Sequence, residues 1–147
     1  MATLVCFHAH PDDEAIATGG VIAKAASLGH RVVLVLATRG EHGEVADGFL
    51  DSDETLAERR TLETAQAAEI LGVDRVEYLG YVDSGMVGTP ENEAPGSFWS
   101  ADIEEAARSL ETVAADYAHQ CRLARALVEE HFDATKVVSK VLERALG

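Results

Sequence analysis

Two unbroken apolar runs, Leu4-Val5-Cys6-Phe7 and Val32-Val33-Leu34-Val35-Leu36, stand one helix-length apart, and this separation constrains the fold more than any other feature. Apolar runs without polar alternation predict strands buried on both faces, here over residues 2–7 and 31–38. Between them, from about Asp13 to Leu28, Ala15, Ile16, Gly19, Ile22, Ala23 and Ala26 recur at helical spacing, and Gly29 follows as a stop. Strand, helix, strand in that length is a βαβ unit, so the sheet is expected to be parallel and the crossover right-handed. At 147 residues the chain suits one domain with a real core.

The rest of the chain extends this unit. A glycine-rich loop, Arg39-Gly40-Glu41-His42-Gly43-Glu44, leaves the second run, and an acidic stretch leads into a helix from about Glu54 to Leu71, its turns marked by Leu56, Arg59/Arg60, Glu63, Ala67 and Ile70. A third strand over 75–79 opens into Gly80-Tyr81-Val82-Asp83-Ser84-Gly85-Met86 and a loop reaching about Ser100. Beyond it Ile103, Ala107, Leu110, Tyr117, Cys121 and Leu127 repeat at three- and four-residue steps, which predicts one long amphipathic helix or two in tandem, and Asp133 is placed to cap a last one. In an open α/β sheet ligands bind beyond the carboxyl ends of the strands. The three loops that leave these strands are therefore expected to converge on one rim.

Charge narrows the ligand class. A net charge of −14 with twelve scattered basic residues argues against a nucleic-acid partner, which needs clustered Lys and Arg, and favours small neutral ligands and capture of a divalent cation. The longest apolar runs fall far short of a membrane span, so no membrane partner is expected, and Met1-Ala2-Thr3 leads into a strand without a targeting segment, which predicts a cytoplasmic location. Cys6 and Cys121 lack the spacing of a disulfide framework or a metal site and read as buried free thiols.

The chemistry concentrates in His10-Pro11-Asp12-Asp13-Glu14, at the first strand's exit. His10 and Asp13 can grip one Zn²⁺ while Asp12 is free to hold and deprotonate a water. The same residues also suit a structural role, with Asp12 and Asp13 capping the helix and His10 a polar strand end. Catalytic zinc usually takes three protein ligands, and this motif supplies two. His42, His119 and His131 are the candidates to supplement His10, and a symmetric dimer is a further source.

Ala9-His10-Pro11-Asp12-Asp13-Glu14 resembles the signature of the PIG-L/LmbE-like zinc deacetylases, which remove acetyl groups from N-acetylglucosamine-containing glycoconjugates. The resemblance continues through Ala37 to Glu44, Glu58-Arg59-Arg60 and Leu79 to Met86, and so covers about the first 110 residues. It implies His10 and Asp13 as ligands of Zn²⁺, Asp12 as general base, Arg60 and Asp83 as sugar contacts, and a small N-acetylated sugar or glycoconjugate as substrate. Beside these stand plainer readings: Arg60 solvated on its helix, and Asp83 a turn residue before Ser-Gly. Glu14 is expected to support the helix start. Glu41, His42 and Glu44 either line the pocket or belong to a surface loop, and His8 is expected as a hydrogen-bonded neighbour of the ligand shell.

The chain also departs from the family. Members normally continue, after the segment equivalent to 101–110, into another strand and a Gly-His-Pro-Asp-His type motif that gives the third zinc ligand and an electrophilic partner. Neither is visible here. Val113 to Leu146 instead weakly resembles the helical tail of some two-Rossmann-domain glycosyltransferases, and Val82 stands where the family often has a basic residue. The expected architecture is thus a Rossmann-like three-layer α/β sandwich with a short parallel sheet of about three strands: a shortened LmbE-like core over 1–110 and a helical tail over 111–147 packed on it. So small a sheet leaves an edge exposed, and a homodimer is one way to bury it. Two functions follow: a zinc-dependent N-deacetylase slowed by the absent motif, or a non-catalytic metal- or sugar-binding domain.

Overall fold

The computed structural model describes residues 1–113, and within them the expected βαβ unit is present and extended by one strand. Strands β1 (Thr3–His8), β2 (Arg31–Leu36) and β3 (Arg75–Tyr78) form a parallel sheet in the order β1-β2-β3. The register pairs His8 with Leu36 and Leu36 with Tyr78, so all three strands end at the same level. Helix α1 (Gly19–Ser27) links β1 to β2, α2 (Leu56–Leu71) links β2 to β3, and α3 (Ile103–Val113) follows the long loop after β3. The expected α/β class with a short parallel sheet is what the chain forms. The expected helices beyond 113 and Cys121 lie outside the described residues.

The core forms where the sequence is least polar. Val32 to Ala37 are all buried, and β2 is the middle strand of the sheet. Cys6, Ile22, Ala25, Val32, Leu34 and Leu36 pack together, with Leu4, Leu71, Val76 and Tyr78 at their margin. Burial pushes the Cys6 thiol above its ordinary pKa, the hydrogen bond from Thr18 opposing in part. On the other face Phe7 meets Phe98 edge-on, with ring centroids 6.2 Å apart, and Phe98 leans on Tyr81. Strand β1 differs from expectation: only Cys6 is buried in it, and Phe7 is 38% exposed, because among the described residues β1 is an outer strand.

Of the residues expected on the apolar face of the first helical stretch, Gly19 and Ile22 are buried and Ala26 packs on the core, while Ala15 and Ile16 are exposed. The helical stretch after Asp13 opens with a π-helical turn, Glu14–Thr18, before α1 begins. The wide turn brings Glu14 and Gly19 to the inner side with Ile22 and Ala25, and carries Ile16 out to 82% exposure. In α2 the buried stripe is Leu56, Thr64 and Ala68, while Ile70 is 83% exposed. The helix starts at a capping box, in which the Thr55 hydroxyl accepts from the Glu58 N–H and the Glu58 carboxylate accepts from the Thr55 N–H at 2.8 Å. It ends at Gly72 with φ of 76°, where a Cβ would lie 2.7 Å from that of Ala26. Glycine there permits both the left-handed turn and the close approach of α2 to α1. No described helix is long and apolar enough to cross a membrane.

Candidate active site

The exit of β1 is clamped before its functional residues begin. Thr38, fully buried just past β2, donates its hydroxyl to the Ala9 carbonyl at 2.9 Å, and its N–H reaches the same oxygen at 3.1 Å. The Gly40 N–H then donates to the Thr38 hydroxyl at 3.3 Å. Gly40 has φ of 70°, and a Cβ on it would come within 3.3 Å of the Pro11 ring, so the glycine lets this loop lie against the turn at Pro11. Thr38 was not among the residues singled out by sequence. Its signal was present as a hydroxyl ending an otherwise apolar run, where a buried polar group must find a partner.

Beyond the clamp Asp12 adopts φ of 87°, the one positive value at a non-glycine residue among those described. Its carbonyl accepts from the N–H groups of Ala15 and Ile16 at 3.0 and 3.1 Å, which starts the π-helical turn. Its carboxylate takes a hydrogen bond from Arg60 Nη1 at 2.6 Å. A left-handed non-glycine residue costs of order 1–3 kcal/mol, whereas a partly exposed ion pair contributes about 0.2–1 kcal/mol. The pair alone therefore does not balance that cost; the two N–H groups bonded to the Asp12 carbonyl add to the pair. Strain maintained in this way is characteristic of functional positions. Arg60 sits on the buried stripe of α2, one turn from Leu56 and one from Thr64, which is why its side chain points at the rim rather than into solvent.

His10 lies between two carboxylates. Its Nδ1 is 3.7 Å from Asp13 Oδ2, and its Nε2 is 3.3 Å from Asp83 Oδ1. Asp13 makes no side-chain cap to the helix; its carboxylate accepts instead from the His10 N–H at 3.3 Å. The capping alternative is thus not what the motif does. A gap of 3.7 Å is too long for a hydrogen bond, yet it is close to the roughly 3.4 Å that separates two ligands on a tetrahedral zinc with bonds of about 2.1 Å. The pair therefore fits two corners of a metal site. Among the described residues no third His, Cys, Asp or Glu joins them in a ligating group.

Asp83 is buried to 5% exposure, and both its oxygens are engaged. Oδ2 accepts from the His42 N–H at 3.2 Å, and Oδ1 accepts from the Gly85 N–H at 3.0 Å. The Asp83 N–H donates in turn to Glu41 at 3.0 Å, so the loops after β2 and β3 are stitched to each other. His42 thus enters the site by its main chain, and its side chain is exposed. His119 and His131 lie outside the described residues. His8 shares a 2.9 Å hydrogen bond with Thr18, whose hydroxyl donates to the Glu14 carbonyl, so it anchors the π-helical turn to β1. Glu14 opens the π-helical turn, at the helix start where it was expected, but it is 1% exposed and its Oε2 has no hydrogen-bond partner.

A separate open cleft between the 51–54 segment and α2 is lined by Arg39, Asp53, Glu54, Glu58 and Thr61, and none of His10, Asp12, Asp13 or Asp83 lies in it. Two of its carboxylates, Glu54 and Glu58, are engaged by Arg59 and Thr55. Hydrogen bonding to Arg59 lowers the pKa of Glu54, and the bonds from Thr55 lower that of Glu58.

Comparison with known proteins adds to this geometry. The family described as PIG-L, GlcNAc-PI de-N-acetylase, matches residues 5–142. A 1D-myo-inositol 2-acetamido-2-deoxy-alpha-D-glucopyranoside deacetylase of Streptomyces scabiei is 49% identical over 116 residues, covering 73% of this chain and 36% of the relative. The enzyme of the same description from Nocardiopsis dassonvillei is 49% identical over 115 residues, covering 72% of this chain and 41% of its own. The chain thus spans about two fifths of the length of the curated relatives it matches. Among solved structures, the 4-carboxy-2-hydroxymuconate hydratase GalB of Pseudomonas putida KT2440 superposes with a TM-score of 0.51 at 30% identity, covering 71% of this chain and 39% of that one.

Proposed function

This chain belongs to the PIG-L family of GlcNAc-PI de-N-acetylases, and from that premise we propose that its rim is the working part of a metal-dependent N-deacetylase acting on an N-acetylglucosaminyl glycoconjugate. The observation that carries the reading is the strained Asp12, held 2.6 Å from Arg60 beside the His10/Asp13 pair. Aspartate tolerates positive φ better than most residues but less well than glycine, and holding a carboxylate there, beside the ligand pair and against Arg60, supports a task for it.

In this reading His10 and Asp13 hold zinc. When bound, the metal supplies the Lewis acidity that polarises an amide carbonyl and makes water a stronger acid. Asp12 takes a proton from the attacking water as the new C–O bond forms. It returns the proton to the amide nitrogen as the C–N bond breaks, which leaves acetate and a free amine. Arg60 fixes the Asp12 carboxylate through one N–H, and its remaining donors suit a sugar hydroxyl. The relatives' names support an inositol-linked N-acetylglucosamine as substrate, while the hydratase likeness shows that the fold also hosts other chemistry.

A second reading, a non-catalytic metal- or sugar-binding domain, is favoured by the two-ligand count among the described residues. Acetate release from N-acetylglucosaminyl-inositol in zinc buffer separates the two. The enzyme reading expects release above a zinc-only control and loss of about 10²- to 10⁴-fold in Asp12→Asn. Wild-type release equal to the control leaves the binding reading standing.

A further inference from the structure

We propose that Thr38 is a positioning residue for the metal pair: its buried hydroxyl sets the plane of the Ala9–His10 peptide, and through that plane the placing of the Asp13 carboxylate beside the His10 ring. The inference rests on the metal reading above and goes beyond it. The pair's geometry then depends on a side chain at the exit of β2 whose hydrogen bonds reach neither ligand side chain.

The peptide between Ala9 and His10 is held at both edges. Its oxygen accepts from the Thr38 hydroxyl at 2.9 Å and from the Thr38 N–H at 3.1 Å. Its N–H, which belongs to His10, donates to Asp13 Oδ2 at 3.3 Å. A trans peptide is planar and carries its C=O and N–H on opposite edges, so fixing the oxygen aims the hydrogen. A single main-chain bond leaves the plane free to tilt about it, whereas a second donor on the same oxygen takes the other lone pair and removes that freedom. The side chains of His10 and Asp13 are 46% and 42% exposed, so the bonds at this peptide matter more to their placing than packing does.

The same hydroxyl accepts from the Gly40 N–H at 3.3 Å. Gly40 lies against Pro11, where a Cβ would come within 3.3 Å of the ring. Thr38 thereby acts on the chain at both sides of His10, at Ala9 by hydrogen bonds and at Pro11 through Gly40. It is fully buried at the end of the apolar run Val32 to Ala37. Valine would suit that run in shape and hydrophobicity, and a buried hydroxyl is costly unless it is bonded. The hydroxyl is therefore the part of residue 38 that the core does not need.

The test uses the full chain, with Thr38→Val removing the hydroxyl at nearly constant shape and Thr38→Ser keeping it. Affinity for Zn²⁺ is measured by competition with a chromophoric chelator, and amide hydrogen exchange is followed on the metal-free proteins. Thr38→Val is expected to bind zinc about 10-fold more weakly, the lower end of the loss on removing a hydrogen bond behind a metal ligand, and Thr38→Ser to bind as wild type does. In Thr38→Val the amides of His10, Ala15 and Ile16 are expected to exchange faster while those of β2 keep their protection. A merely stabilising role would speed all of them together and leave the zinc affinity of the folded protein unchanged. Wild-type affinity in folded Thr38→Val, or an equal loss in Thr38→Ser, overturns the proposal. If Thr38→Val does not fold, Gly40→Ala decides, since it keeps the hydroxyl but presses a Cβ on Pro11 at φ of 70°; weaker zinc binding is expected, and wild-type affinity overturns the proposal. Absence of zinc binding in wild type overturns the metal reading itself. The exchange arm needs no metal and then judges Thr38 separately, unchanged exchange at His10, Ala15 and Ile16 counting against it.

Discussion

Replacing Asp12 by glycine and by alanine separates the conformational role of this residue from its chemical one. Both substitutions remove the carboxylate, and with it the pair to Arg60 at 2.6 Å, so that loss is common to the two variants. They differ in what they do at φ of 87°. Glycine enters that region freely, which relieves about 1–3 kcal/mol of backbone strain, while its greater freedom in the unfolded chain costs about 0.4–1 kcal/mol relative to alanine. The difference leaves Asp12→Gly more stable than Asp12→Ala by roughly 1 kcal/mol, or about 2–4 °C in Tm for a chain of this size. Urea and thermal denaturation followed by circular dichroism measure it. In the deacetylase assay both variants are expected to lose at least about 10²-fold, as removal of a general base does. Alanine equal to or more stable than glycine would show that residue 12 is not held at positive φ in solution, and the strain argument for its function would fall. Glycine more stable with activity retained would separate the strain from the chemistry and remove Asp12 from the mechanism.

Gly72→Ala places a Cβ 2.7 Å from that of Ala26 at a φ of 76°, so it is expected to cost more than about 1 kcal/mol and lower the urea midpoint, without altering zinc affinity at the distant rim. The Glu54 and Glu58 carboxyls have folded pKa values lowered from 4.5, Glu54 chiefly by Arg59 and Glu58 by Thr55. Their contribution to stability is therefore complete above pH 4.5 and lost as pH falls through the folded values. Removing both partners, as in Thr55→Val with Arg59→Leu, should flatten the decline of Tm between about pH 5 and pH 3, and an unchanged decline would show that other groups govern it.

Much of the scaffold was legible because strands and helices leave local patterns. Val32 to Leu36, a β-branched apolar run with no residue for solvent, read as a strand buried on both faces, and it is the middle strand. The HPDDE string, placed after such a run, announced its rim position. Local pattern failed where the backbone changed period. A single π-helical turn reassigns Ile16 to solvent and Glu14 to the interior, and no apolar count along the chain registers an extra residue in one turn. Ile70, one of the large apolar residues of α2, is likewise exposed. The inner stripe of α2 carries Arg60 and Thr64 among its members, so the helix's most apolar side is not its buried one.

The amino-acid order by itself determined the parallel βαβ frame, the carboxyl-end rim and the identity of the acidic and imidazole groups set on it, because each follows from residues within a few positions of one another. Only the tertiary structure decided what those groups touch. Arg60 meets Asp12 because α2 packs with its polar stripe inward, and Asp83 reaches His10 because β1 and β3 end level on either side of β2. Those contacts join residues from different loops, and their distances are set by sheet register and helix rotation, quantities that belong to the packed layers and to no single stretch of chain.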